Sequence, residues 1–201
     1  DQPRVKAKLL TTLATAYRYI GEPAKSIELF RQGIALQLDP RVNDPLAAAA
    51  ALSQLAVNYA NNDYSRKDAE AAARRSLELR QKNGADALDI GDAYNTLGIV
   101  LQTEDRLDEA EAALQKGLEL RRANGADAST IASSLHNLGN VASDRQEFDV
   151  ALADFREALD LREKTIGERT PEYQHTLMNY GVALGRAGKS GDAVPVLQRS
   201  L

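Results

Sequence analysis

Five segments of this chain superimpose when it is slid along itself by 42, 42, 41 and 42 residues: Leu10-Thr-Thr-Leu-Ala, Leu52-Ser-Gln-Leu-Ala, Tyr94-Asn-Thr-Leu-Gly, Leu135-His-Asn-Leu-Gly and Leu177-Met-Asn-Tyr-Gly. A unit that recurs at a fixed period cannot bury its own apolar face, so neighbours must stack. The product is an elongated array with a continuous groove, not a globule around one pocket. The length of 201 residues would otherwise suggest one or two globular domains. The repeat overrides that prior and predicts a single array over residues 1–201, with units at roughly 6–47, 48–89, 90–130, 131–172 and 173–201.

Each unit reads as two amphipathic helices, ten in all. In the third, Tyr94, Leu97 and Leu101, then Leu107, Ala110, Leu114 and Leu118, recur at helical spacing on either side of a polar break at 103–106. Every first helix carries a small residue as the last of its leading motif: Ala14, Ala56, Gly98, Gly139 and Gly181. Glycine there costs about 1 kcal/mol of helix propensity against alanine, so close helix approach must offset it. Second helices carry Ser26, Ala69, Ala110, Ala151 and Ala193, followed one turn later by Phe30, Leu114, Phe155 and Leu197, with Ala73 the exception. Small is expected to meet large across each pair.

Between units, Asn83-Gly84, Asn124-Gly125, Asp39-Pro40 and Ile166-Gly167 mark chain reversals. Asp44, Asp86, Asp127 and Thr170 stand where they can cap the next helix, and Pro45 and Pro171 fit a first helical turn. The second unit needs one extra residue between Asn62 and Lys67 to stay in phase, which predicts a longer turn.

Composition narrows the function classes. A net charge of -4, with 27% charged residues, disfavours nucleic acid as a partner. The absence of cysteine removes disulfides, thiolate catalysis and cysteine metal sites, and fits a cytoplasmic location. The longest apolar run, Leu46 to Leu52, falls far short of the roughly 20 residues a membrane helix needs. The chain opens at Asp1 without methionine and stops within a helical pattern, so the expectation is a fragment of a longer protein.

Chemistry-bearing motifs are sparse. His136 and His175 lie on first helices of adjacent units, but no carboxylate at helical spacing completes a metal set. Gly188-Lys-Ser190 resembles the end of a phosphate-binding loop, yet Ala183 stands at the required first glycine. Gly188 reads as a turn and Ser190 as a helix cap. Arg74-Arg75 and Arg121-Arg122 read as solvated faces beside Glu78 and Glu119. No catalytic residue, cofactor or metal is expected, and the chain reads as non-enzymatic.

Ala14, Tyr17, Gly21, Ser26 and Phe30, and again Gly139, Phe148, Ala151, Phe155 and Ala158, resemble the signature of tetratricopeptide repeats. The period exceeds the usual length of about 34 and is similar to the 42-residue kinesin-light-chain-like variant. Leu161-Arg-Glu-Lys-Thr-Ile-Gly167, the asparagines of the first helices and Pro195 support that closer likeness. Leu101, Ala142 and Leu184 depart from it, standing where an aromatic is usual.

The resemblance implies an all-α, right-handed α-solenoid superhelix whose concave groove is lined by first helices and binds peptide segments of a protein partner. On that frame the groove residues are Thr12, Thr15 and Tyr19; Gln54; Asn95 and Ile99; His136, Asn137 and Asn140; Met178 and Asn179. The set is polar but mostly uncharged, and asparagine offers donors and an acceptor to an extended backbone. Positions that hold a lysine in carboxylate-gripping relatives carry Thr11, Ser53, Asn95, His136 and Met178, which disfavours a terminal-carboxylate clamp.

The leading reading is therefore a protein-protein interaction scaffold. The alternatives are a regulatory arm of a larger signalling protein, such as a bacterial serine/threonine kinase, and a peptide-sensing regulator. Val194, Val196, Leu197 and Leu201 lack a polar capping helix, which adds self-association through the C-terminal end as an expectation.

Overall fold

The computed structural model describes residues 2–62 and 66–200, and among them it contains ten α-helices and no strand. They are α1 (Gln2–Tyr19), α2 (Pro23–Leu38), α3 (Pro45–Asn61), α4 (Arg66–Lys82), α5 (Ala87–Thr103), α6 (Leu107–Ala123), α7 (Ala128–Asp144), α8 (Phe148–Thr165), α9 (Pro171–Arg186) and α10 (Ser190–Arg199). The chain is all-α and built from helix-turn-helix repeats of the α-solenoid kind. Its helices gather into two compact units that meet in sequence between Asp105 and Arg106, inside the third repeat.

In the first unit, α1 packs on α2 and α3 on α4. The links α2 to α3 and α4 to α5 join successive repeats, and first helices touch one another, α1 with α3 and α3 with α5. In the second unit α7 packs on α8 and α9 on α10, with α6 against α7, α8 against α9 and α7 against α9.

The small-to-large expectation is met where the second unit tests it. A Cβ built on Gly139 would lie 2.8 Å from Phe155 Cε1, and one on Gly181 would lie 2.7 Å from Leu197 Cδ2. Glycine therefore permits a helix approach that alanine would obstruct. Phe155 joins Ala142, Ala151, Leu152, Ala183, Leu184 and Ala193 in one buried cluster. In the first unit Ala14, Phe30, Ala56, Ala69 and Ala73 are all fully buried. Leu197 and Val196 are half-buried against Gly181, so among the described side chains expected to lie uncovered at this end only Val194 is exposed. Leu201 lies outside the described residues.

Three of the four expected caps form. Asp44 accepts from the Ala47 amide at 3.2 Å, Asp86 from Asp89 at 2.8 Å and Asp127 from Thr130 at 2.8 Å. Thr170 occupies the cap position, but its hydroxyl donates backwards to the Gly167 carbonyl at 2.9 Å and caps nothing. Ser190 is the first residue of α10 and not its cap, which is Lys189. Gly188 does form the turn, at φ +76°. The extra residue expected between Asn62 and Lys67 falls at 63–65, outside the described residues.

Candidate functional site

A cleft of about 510 Å³ opens between α1 and α3 in the first unit. Thr12, Thr15 and Gln54 of the expected groove residues line it, together with Thr11. Thr15 and Gln54 join the two helices across it, the hydroxyl donating to Gln54 Oε1 at 2.8 Å. Ala7, Ala47 and Ala51 keep the lining low, and Arg4 reaches over it to the Val42 carbonyl at 3.0 Å. Tyr19 lies elsewhere, exposed at the C-terminal end of α1 with the Arg18 guanidinium 4.5 Å over its ring centroid. On α5, Asn95 and Ile99 are half-buried.

In the second unit, Asn140 of α7 and Asn179 of α9 join the two first helices, the Asn179 amide donating to Asn140 Oδ1 at 2.9 Å. Asn137 is half-buried, and Met178 is exposed on α9. His136 departs from expectation. It is only 6% exposed, turned edge-on to Phe155 with ring centroids 5.8 Å apart, and its Nδ1 lies 3.0 Å from the Thr176 hydroxyl. His175 does face it, with ring centroids 5.0 Å apart. Burial above all, then the charges of Arg162 and His175, pushes the His136 pKa down to about 3 and keeps the ring neutral. The cause is local packing: Phe155 of α8 and His175 and Thr176 of α9 close over the ring.

A feature that the sequence reading missed runs along the second helices. Gln37, Arg80, Arg121 and Arg162 occupy one position near the ends of α2, α4, α6 and α8, and all four are buried. Arg80 donates to the Asp89 carbonyl and Arg121 to the Ser134 hydroxyl. Arg162 donates to the Glu172 carbonyl at 2.6 Å and to the Thr176 hydroxyl. Arg121 is therefore no solvated charge, in contrast to Arg122 beside it, which pairs with Glu157 at 2.7 Å. Arg75 pairs with Glu78 at 2.6 Å, as the spacing suggests. The signal for the buried set was available: arginine recurs 14 or 15 residues before Tyr94, Leu135 and Leu177.

Among the described residues no group of three or more His, Cys, Asp or Glu is placed to hold a metal ion. No described helix is long and apolar enough to cross a membrane.

Comparison with known proteins bears on the fold. The tetratricopeptide repeat family matches at residues 91–127 and again at 130–201, together more than half of the chain. No curated protein matches. Among solved structures, BtubC (BKLC) from P. vanneervenii superimposes with a TM-score of 0.80 at 21% identity, covering 98% of this chain and 79% of that one. The nearly identical TPR-like repeats of a kinesin light chain candidate from Podosopora anserina give 0.78 at 16% identity, covering 100% and 94%. A Rap protein complexed with competence and sporulation factor gives 0.84 at 15% identity, covering 97% of this chain and 53% of that one. At such identities the likeness is one of fold, and with the family matches and the period of the repeats it shows that this chain is a tetratricopeptide repeat protein of the kinesin-light-chain-like type.

Proposed function

We propose that the chain is a non-catalytic scaffold that binds a peptide segment of a protein partner on its first-helix faces, with the α1–α3 cleft as the main seat. The cleft carries this reading. Its volume of about 510 Å³ lies within the roughly 300–1,000 Å³ typical of ligand sites. Its walls present the hydroxyls of Thr11, Thr12 and Thr15 and the carboxamides of Gln37 and Gln54, with Arg4, Lys8 and Asp44 also on the lining, and the hydroxyls and carboxamides suit the main chain of an extended peptide. The fold is one that generally serves protein-protein interaction, and the Rap protein of similar fold was solved in complex with a factor.

The test is selection from a displayed random peptide library on the wild-type chain, followed by affinity measurement on a Thr15→Ala, Gln54→Ala variant. Two lost hydrogen bonds of about 0.5–1.5 kcal/mol each predict roughly tenfold weaker binding with unchanged helicity. Failure of any peptide to enrich, or enriched peptides that bind the variant undiminished, overturns the proposal.

A further inference from the structure

The α1–α3 cleft contains a polar atom for which the fold provides no partner. Gln37, close to the end of α2, is only 6% exposed and lines the cleft. Its Oε1 is buried without a hydrogen-bond partner. A buried acceptor left unpaired is destabilising, and its position in the repeat explains how it arises.

Gln37 stands where later repeats have Arg80, Arg121 and Arg162. Arg121 ends on Ser134 and Arg162 on Thr176, each acceptor lying immediately before the leading leucine of its helix, Leu135 or Leu177. The equivalent residue ahead of Leu52 is Ala51, which has no polar side-chain atom. Ala93 takes that place ahead of Tyr94, and there Arg80 reaches the Asp89 carbonyl instead. A carboxamide oxygen cannot donate to a carbonyl, so that alternative is closed to Gln37 Oε1. The pairing used in later repeats is absent here, and it is absent at the one position that opens into the large cleft of the first unit.

We propose that Gln37 is the recognition residue of this cleft and that its carboxamide pairs with an amide group of a bound peptide, either main-chain or the side chain of Asn or Gln. This rests on the peptide-binding reading above and assigns it a specific contact. An amide carries both a donor and an acceptor, so it complements the Gln37 carboxamide whichever way that group is turned. Gln37 shares the cleft lining with the short side chains of Ala7, Ala47 and Ala51, none of which reaches far into the space in front of it. Arg4 and Lys8 on the same lining disfavour a basic peptide, while the carboxylate of Asp44 is engaged in capping α3. The occupant is a neutral or acidic extended segment.

The test uses peptides selected on the wild-type chain from a displayed random library, measured on Gln37→Met and on Ala51→Ser. Gln37→Met removes the polar atom at similar volume. Ala51→Ser supplies the hydroxyl that later repeats use and gives Gln37 an internal partner. Both variants are expected to melt at or above the wild-type temperature and yet bind the peptides at least fivefold more weakly. A merely structural role for Gln37 would move stability and affinity in the same direction. Binding unchanged in both variants overturns the role of Gln37 while leaving the peptide-binding reading intact. A library that yields no peptide on the wild-type chain overturns both.

Discussion

Replacing Gly139 by alanine tests whether close helix approach is what the glycines are for. The new Cβ would meet Phe155 Cε1, Cδ1 and Cζ at 2.8, 2.9 and 3.1 Å, whereas carbon pairs prefer about 3.5–4.0 Å. Phe155 is 1% exposed and hemmed in by Leu152, Ala183 and Leu184, so its ring has little room to retreat. Overpacking of this kind costs about 1–3 kcal/mol, and the gain in helix propensity returns about 1 kcal/mol. The net expectation is a destabilisation of about 1 kcal/mol, or a melting temperature lower by roughly 2–4 °C. Gly185→Ala is the control. On the same kind of helix its Cβ meets only Ala193 Cβ, at 4.0 Å, so the propensity gain of up to about 1 kcal/mol is unopposed and the variant should be stabilised. Urea denaturation followed by far-UV circular dichroism reads both. Adding Phe155→Leu should relieve the Gly139→Ala clash, so the double variant loses less than the sum of the two single changes. A Gly139→Ala protein as stable as Gly185→Ala would refute the packing argument.

The neutral, buried His136 predicts a pH dependence. Its folded pKa, at about 3, lies below the unfolded value near 6.5, so between those values the unfolded chain binds the extra proton. Its contribution to stability is fully present above about pH 6.5 and is lost as pH falls towards 3, by at most about 1.4 kcal/mol per pH unit. Urea midpoints at neutral and mildly acidic pH should converge in His136→Asn, and an unaltered pH slope in that variant would contradict the assignment. Arg162→Met removes the two bonds that the guanidinium donates to the Thr176 hydroxyl and the Glu172 carbonyl, with an expected loss of about 1–3 kcal/mol and faster amide exchange at the start of α9. Arg122→Ala breaks only a half-exposed pair with Glu157 and should cost less than about 1 kcal/mol. Equal losses in the two arginine variants would argue against distinct roles.

Much of the fold was legible because it depends on translation and local chemistry. Repeating Leu10, Leu52, Tyr94, Leu135 and Leu177 set the helix pairs, and the aspartates at 44, 86 and 127 marked helix starts through a bond spanning three residues. Thr170 failed as a cap because its hydroxyl had a nearer acceptor in the Gly167 carbonyl. Thr12, Thr15 and Gln54 do line one cleft, and Asn140 and Asn179 do meet, because stacked first helices lie side by side; the joined pairs, Thr15 with Gln54 and Asn140 with Asn179, are each 39 apart, three residues short of the 42-residue register. His136 was misplaced because its exposure depends on which side chains of α8 and α9 close over it, Phe155, His175 and Thr176, and no periodicity contains that.

By itself, then, the sequence determined the period, the helical pairing, the close approach at Gly139 and Gly181, and the family. All of these follow from residue size and spacing along the chain. Tertiary structure alone decided which polar side chains are interior: Arg121 and His136 against expectation, and Gln37 with an acceptor left unpaired. The reason is physical. Whether a polar group is solvated, paired or left without a partner is set by atoms contributed by neighbouring repeats, and a difference as small as Ala51 against Ser134 changes the outcome.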